Sequence, residues 1–156
     1  MTQPQVTVEE AFTVFMRDAQ PRVLVALAAA FGPEAANDAS AEAFAYAWEH
    51  WDRVGGMDNP AGYVYRVGRS RVRPRKPVTV CPPPPVNPSP LVEPKLVSAL
   101  GRLSARQRAA VVLTEGFGYS LSEVAELLGV HPSSVRRHRE RALRKLRSGL
   151  GVRVDA

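Results

Sequence analysis

The sequence predicts an all-α fold of two small helical domains joined by a proline-rich extended linker. Three observations carry that expectation. Helix-capping signals recur in both parts of the chain, apolar residues recur at three-and-four spacing with no sustained period-two alternation, and nine of the fourteen prolines fall in one segment, Pro74 to Pro94. A chain of 156 residues can form one ordinary domain or two small ones. The proline segment decides for two, because proline removes backbone donors and fixes φ, leaving neither helix nor sheet ladder. As polyproline helix it would span on the order of 65 Å at about 3.1 Å per residue. It separates residues 1–73 from 95–156.

In the first part, Thr7 with Glu10 forms a capping box for a helix over about Val8 to Ala19, and Pro21 is expected to restart the chain into an Ala/Leu-rich segment ending near Gly32-Pro33. A third helix, about Glu34 to Trp51, aligns Ala43, Phe44, Ala47, Trp48 and Trp51 in one apolar stripe. The loop Arg53 to Asp58 leads to Asn59-Pro60, an N-cap followed by proline at the first helical position, and a fourth helix runs to about Arg73.

In the second part, Ser104 with Gln107 caps a helix through about Thr114, and Ser120 with Glu123 caps a short helix that Gly129 closes. His131-Pro132 then starts a longer basic helix. A glycine-closed helix, a three-residue turn and a basic helix outline a helix-turn-helix, with Val124, Ala125 and Leu128 turned toward a core.

The net charge of +6 divides unevenly. Residues 1–60 hold three arginines against nine acids, and residues 61–156 hold eighteen basic residues against six acids. Such a division suggests two different partners, the second a polyanion. Arginine supplies nearly all the basic charge, which suits bidentate phosphate and base-edge recognition and equally suits a GC-rich genome. The single Cys81 excludes an intrachain disulfide and a cysteine-rich zinc site. His50, His131 and His138 have no ligand spacing with it or with one another, and there is no glycine-rich phosphate loop or Ser/His/Asp set. An enzyme is therefore not expected, nor a cofactor, a metal or a small-molecule substrate. With no apolar run of membrane-spanning length and no signal-like start, the expected location is the cytoplasm, away from membranes.

The segment Ser133 to Arg147 carries seven basic residues and one acid, Glu140. At 100° per residue, Arg137, Arg141, Arg144, Lys145 and Arg147 lie within about 160° of one another, and Val135, Ala142, Leu143, Leu146 and Leu150 lie opposite. Arg139 falls on the apolar side. A solvated surface helix ordinarily mixes acids with its bases, so so little compensation favours an anionic partner. Ser133, Ser134, Arg136 and Arg137 sit nearest the helix start to reach base edges, with His138 beside them, while Arg141, Arg144 and Lys145 are placed for phosphates. On the fourth helix, Tyr63, Arg66, Ser70 and Arg73 share one face with Arg69 at its margin. That set suits unstacked bases, although tyrosines packed in a core beside solvated arginines would give the same pattern.

With these motifs the chain resembles a bacterial RNA polymerase sigma factor of the extracytoplasmic-function (ECF) type within the sigma-70 family. The stretch ANDASAEAFAYAWEHWDR matches the family's helix bearing Asp, Glu-Ala-Phe and Ala-Trp, and NPAGYVYRVGRSRVR its Asn-Pro, aromatic, Tyr-Arg helix. In the second part, LGRLSARQR, the EVAELLGV run and the basic helix follow the promoter-reading domain without a gap. The resemblance implies that residues 1–73 are sigma region 2 and residues 95–156 sigma region 4, with 74–94 the linker. It implies a non-enzymatic protein that binds core RNA polymerase and promoter DNA, with an anti-sigma factor as a further partner to test for. By position, Asp38 and Glu42 would be acidic contacts to the polymerase, with Phe44 and Trp48 in the domain core. The loop Val54 to Asp58, including Met57, with Asn59, Tyr63, Arg66, Arg69 and Arg73, would take the −10 element. The set from Ser133 to Lys145 would read the −35 element.

The chain departs from the family's pattern at Ala39, Ser40 and Ala41, where larger aliphatics and a glutamine are usual, and at Tyr63, where tryptophan is common. Arg139 replaces an aliphatic residue and His131 a Ser or Thr cap. The competing reading is a helix-turn-helix transcriptional regulator whose first domain docks or senses.

Overall fold

The computed structural model describes residues 5–73 and 94–152, and the described residues are helical with no strand. The first half comprises α1 (Val8–Phe31), α2 (Pro33–Glu49), the single turn α3 (Trp51–Val54) and α4 (Pro60–Arg71). The second comprises α5 (Pro94–Gly101), α6 (Ala105–Val111), α7 (Leu121–Leu128) and α8 (Pro132–Leu150). The proline-rich segment lies outside the described residues except for Pro94, as does Cys81. No helix among the described residues is long and apolar enough to cross a membrane.

Local chemistry sets most helix starts. Thr7, Ser104 and Ser120 each accept a hydrogen bond from the backbone three residues on, and Glu10, Gln107 and Glu123 return it. Asn59 caps α4 by accepting from the Gly62 N–H at 2.9 Å.

Two expectations about boundaries fail for identifiable reasons. Pro21 does not restart the chain; α1 runs through it. Proline removes one intrahelical bond, yet Ala19, Val23, Ala26 and Leu27 on either side are fully buried, so packing holds the helix across the missing bond. The third expected helix divides at His50, where ψ of 27° takes the backbone out of helical geometry before α3. Trp48 also leaves the expected core: it is 44% exposed, while Phe44 is buried. Its ring instead packs on Phe12 at 5.0 Å, in an aromatic group that includes Phe15 and Trp51.

The second half holds two features not expected from sequence. Helix α5 precedes α6, and α6 runs into a wider π turn over Val112–Gly116. Ala99, Leu103, Val111, Ala142 and Leu146 bury a small core where α5, α6 and α8 meet.

The two halves also pack on each other, α1 against α6 and α4 against α7. One continuous core contains Leu27, Phe44 and Val64 from the first half and Leu113, Val124 and Val135 from the second. Close approach is possible because Gly62 has no side chain: a Cβ there would sit 2.8 Å from the Glu126 carbonyl oxygen at the end of α7.

Candidate nucleic-acid interface

The helix-turn-helix is built from its caps. Glu123 accepts from the Ser120 N–H at 2.7 Å, and that bond, with the one the Ser120 side chain makes, holds its carboxyl below the usual range. Gly129 closes α7 with φ of 67°, a left-handed conformation that costs glycine nothing. His131, replacing the usual Ser or Thr, caps α8 all the same: its Nδ1 accepts from the Ser133 N–H at 3.2 Å. Val135, Ala142 and Leu146 are buried and fix one side of α8 on the protein.

The other side faces solvent. Arg136, Arg137, Arg141, Arg144 and Arg147 are exposed and have no carboxylate partner among the described residues, where the ion pairs are Arg22–Asp18, Arg71–Glu42 and Arg139–Glu115. Arg139 on the apolar side is therefore explained. Its guanidinium reaches Glu115 in the π turn at 2.5 Å, tying α8 to the segment after α6. Lys145 donates to Gln107 Oε1 at 3.1 Å, so its ammonium is engaged with the capping box of α6. Ser133 is exposed, and Ser134 and His138 are half-buried.

The candidate −10 residues do not share one surrounding. Asn59 donates to the Glu126 carbonyl at 2.6 Å, which joins α4 to the end of α7. Arg66 lies against the turn of the helix-turn-helix, its Nη2 3.5 Å from the position a Cβ on Gly129 would take. Tyr63 belongs to a cluster of polar aromatics, where Arg53 donates to the hydroxyls of Tyr46 at 3.0 Å and Tyr63 at 3.1 Å. The neighbouring Tyr63 hydroxyl, followed by Arg53, lowers the Tyr46 phenol from its ordinary value. His50 stacks on Tyr46 with ring centroids 4.1 Å apart, and Arg71 lies over the same tyrosine. Met57, half-buried, lies in the loop between α3 and α4.

Arg69 and four candidate −35 residues, Ser134, Arg137, His138 and Arg141, line a single cleft of about 760 Å³ between the halves. Burial pushes Tyr65 in its wall up, and desolvation followed by Arg106, Arg137 and Arg141 pushes His138 down. The acidic pair is elsewhere: Asp38 and Glu42 are exposed and line a second cavity with Arg71 and Arg73, and Glu42 lies 3.9 Å from Arg71. Of the departures beside them, Ala39 and Ser40 are buried and Ala41 is exposed.

Sequence reading did not find Tyr46, Arg53, Arg106 or Arg108. Arg108 donates to the carbonyls of Ala29 at 3.0 Å and Ala30 at 2.6 Å, and to those of Leu100 and Leu103. It thus satisfies the last turn of α1, which has no basic residue of its own. Its partner is 79 residues away, so no local spacing signals it.

Among known families, residues 94–146 match the profile described as sigma-70, region 4. Among solved structures the chain is similar to the sigma factor RpoE of Bartonella quintana, determined in complex with the anti-sigma factor NepR. The two share 21% identity at a TM-score of 0.65, over 90% of this chain and 97% of that one. No curated protein sequence matches the chain.

Proposed function

We propose that this chain, whose residues 94–146 match sigma-70 region 4 and whose fold is similar to that of a sigma factor, acts as an ECF-type factor of the sigma-70 family with a division of labour between its halves. Sigma factors are non-enzymatic initiation factors. This one binds core RNA polymerase in the cytoplasm through residues 1–73, with Asp38 and Glu42 as contacts. It directs initiation by reading the −35 element with α8 of residues 95–156 and the −10 element with the loop before α4 and the face of α4. Residues 74–94 connect the two readers.

The observation that supports this most is the exposed side of α8, where five arginines stand without carboxylate partners beside the serines at the helix start. Uncompensated like charge costs stability in the free protein, and neutralising phosphates removes that cost. Asn59 and Arg66 rest on the helix-turn-helix in the closed arrangement. Engaging two separated promoter elements therefore requires the halves to part. An anti-sigma factor that stabilised the closed form would keep the protein inactive.

Co-purification tests the first step. The full chain should bind core polymerase, and Asp38→Arg with Glu42→Arg should abolish binding while leaving thermal unfolding cooperative. A chain that binds specific DNA but never core polymerase would instead be a helix-turn-helix regulator with a docking or sensing first half.

A further inference from the structure

The cleft between the halves has the makings of a ligand site in its own right. Its volume, about 760 Å³, lies within the range of small-molecule sites, and it sits at an interface between packed units, where such sites concentrate. Its floor is apolar, with Phe31, Leu128 and Val130, and no acidic residue lines it. Four arginines line it from three helices: Arg69 from α4, Arg106 from α6, and Arg137 and Arg141 from α8. None of the four has a carboxylate partner among the described residues.

We propose that this cleft binds a phosphorylated small molecule with an aromatic or apolar body, of the nucleoside polyphosphate class. Guanidiniums on several walls match a compact anion carrying several charges, since each fork can grip phosphate oxygens in bidentate fashion. The apolar floor accepts the uncharged body that inorganic phosphate lacks. A ligand held by Arg69 on one side and by Arg137 and Arg141 on the other joins the two halves. It would therefore oppose the separation that promoter binding needs, a consequence that rests on the sigma-factor reading, whereas the site itself does not.

Fluorescence titration of the full chain with N-methylanthraniloyl-ATP tests the site, with inorganic triphosphate and a ten-residue polyglutamate peptide as comparison probes. The expected result is saturable binding at one nucleotide per chain, with inorganic triphosphate weaker by about tenfold or more. Arg106→Ala should weaken the nucleotide by about tenfold, because it removes one of four charge-assisted contacts. Val130→Trp, at an exposed turn position, should weaken it by filling the apolar end of the cleft. Both side chains are exposed, and cooperative thermal unfolding of each variant verifies that it folds. Arg106 is outside the proposed DNA-reading set, so Arg106→Ala should bind duplex DNA as the parent does even as its affinity for the nucleotide falls. The proposal is overturned by the absence of saturable binding. It is also overturned by equal affinity for nucleotide and triphosphate insensitive to both variants, the mark of diffuse polyanion attraction. Tighter binding of the acidic peptide in competition with the nucleotide would overturn it in favour of a protein segment.

Discussion

His138 is the residue whose surroundings most directly predict a pH effect. Desolvation, then the charges of Arg106, Arg137 and Arg141, lower its pKa from an ordinary value of 6.5. Between that value and the lower folded one, the unfolded chain binds the proton more readily, so stability rises with pH across the window and is lost as pH falls through it. His138→Gln should remove that part of the acid sensitivity, measured as the change in Tm between neutral pH and pH about 5. An unchanged pH profile would mean that other groups dominate. Arg139 shows what single-residue reading can miss. Its place on the apolar side was legible from angle alone, but its partner Glu115 lies in a π turn that no local pattern announced. The pair is more than one-third exposed, so it fixes a contact and adds at most about 1 kcal/mol.

At the scale of elements, the caps were the most legible part, because each is a bond between residues two or three apart. Thr7, Asn59, Ser104, Ser120 and His131 all mark the helix starts that the sequence predicts. Continuity was less legible. Whether Pro21 breaks a helix depends on what buries the residues around it, and the end of α6 depends on its packing beneath α8. The glycine that closes α7 gives a direct prediction. Gly129→Ala forces an alanine into φ of 67° and should destabilise the chain by about 1–2 kcal/mol in urea unfolding. On α8, Arg137→Ala should change base preference at the −35 element. Arg144→Ala should weaken binding to all duplexes alike and lower the salt slope by about 1. Arg144 is the better phosphate probe because Lys145 is already engaged with Gln107. If both variants affected specific and random duplexes equally, α8 would not be reading bases.

At the scale of the whole molecule, the sequence divides the chain and the structure closes it. A proline-rich segment between two helical parts suggested separate readers, and nothing local could signal that Asn59 would bond to the end of α7 or that Arg108 would cap α1. Both contacts join residues more than 60 positions apart. The distribution of the −10 candidates has the same origin. Their common helix face was legible, while the assignment of Asn59, Arg66 and Arg69 to the partner half arises from tertiary packing. Because Arg108 reaches four carbonyls, Arg108→Ala should cost about 2 kcal/mol or more of stability and loosen the halves, seen as faster amide exchange at the end of α1.

As the sigma factor proposed above, this two-part chain would set where a polymerase starts. Sequencing the transcripts made by core RNA polymerase reconstituted with the full chain on fragmented genomic DNA is the decisive measurement. A defined set of start sites sharing upstream −35 and −10 elements is expected, absent with core alone and redistributed by Arg137→Ala. Transcripts no more specific than those of core polymerase alone would contradict it.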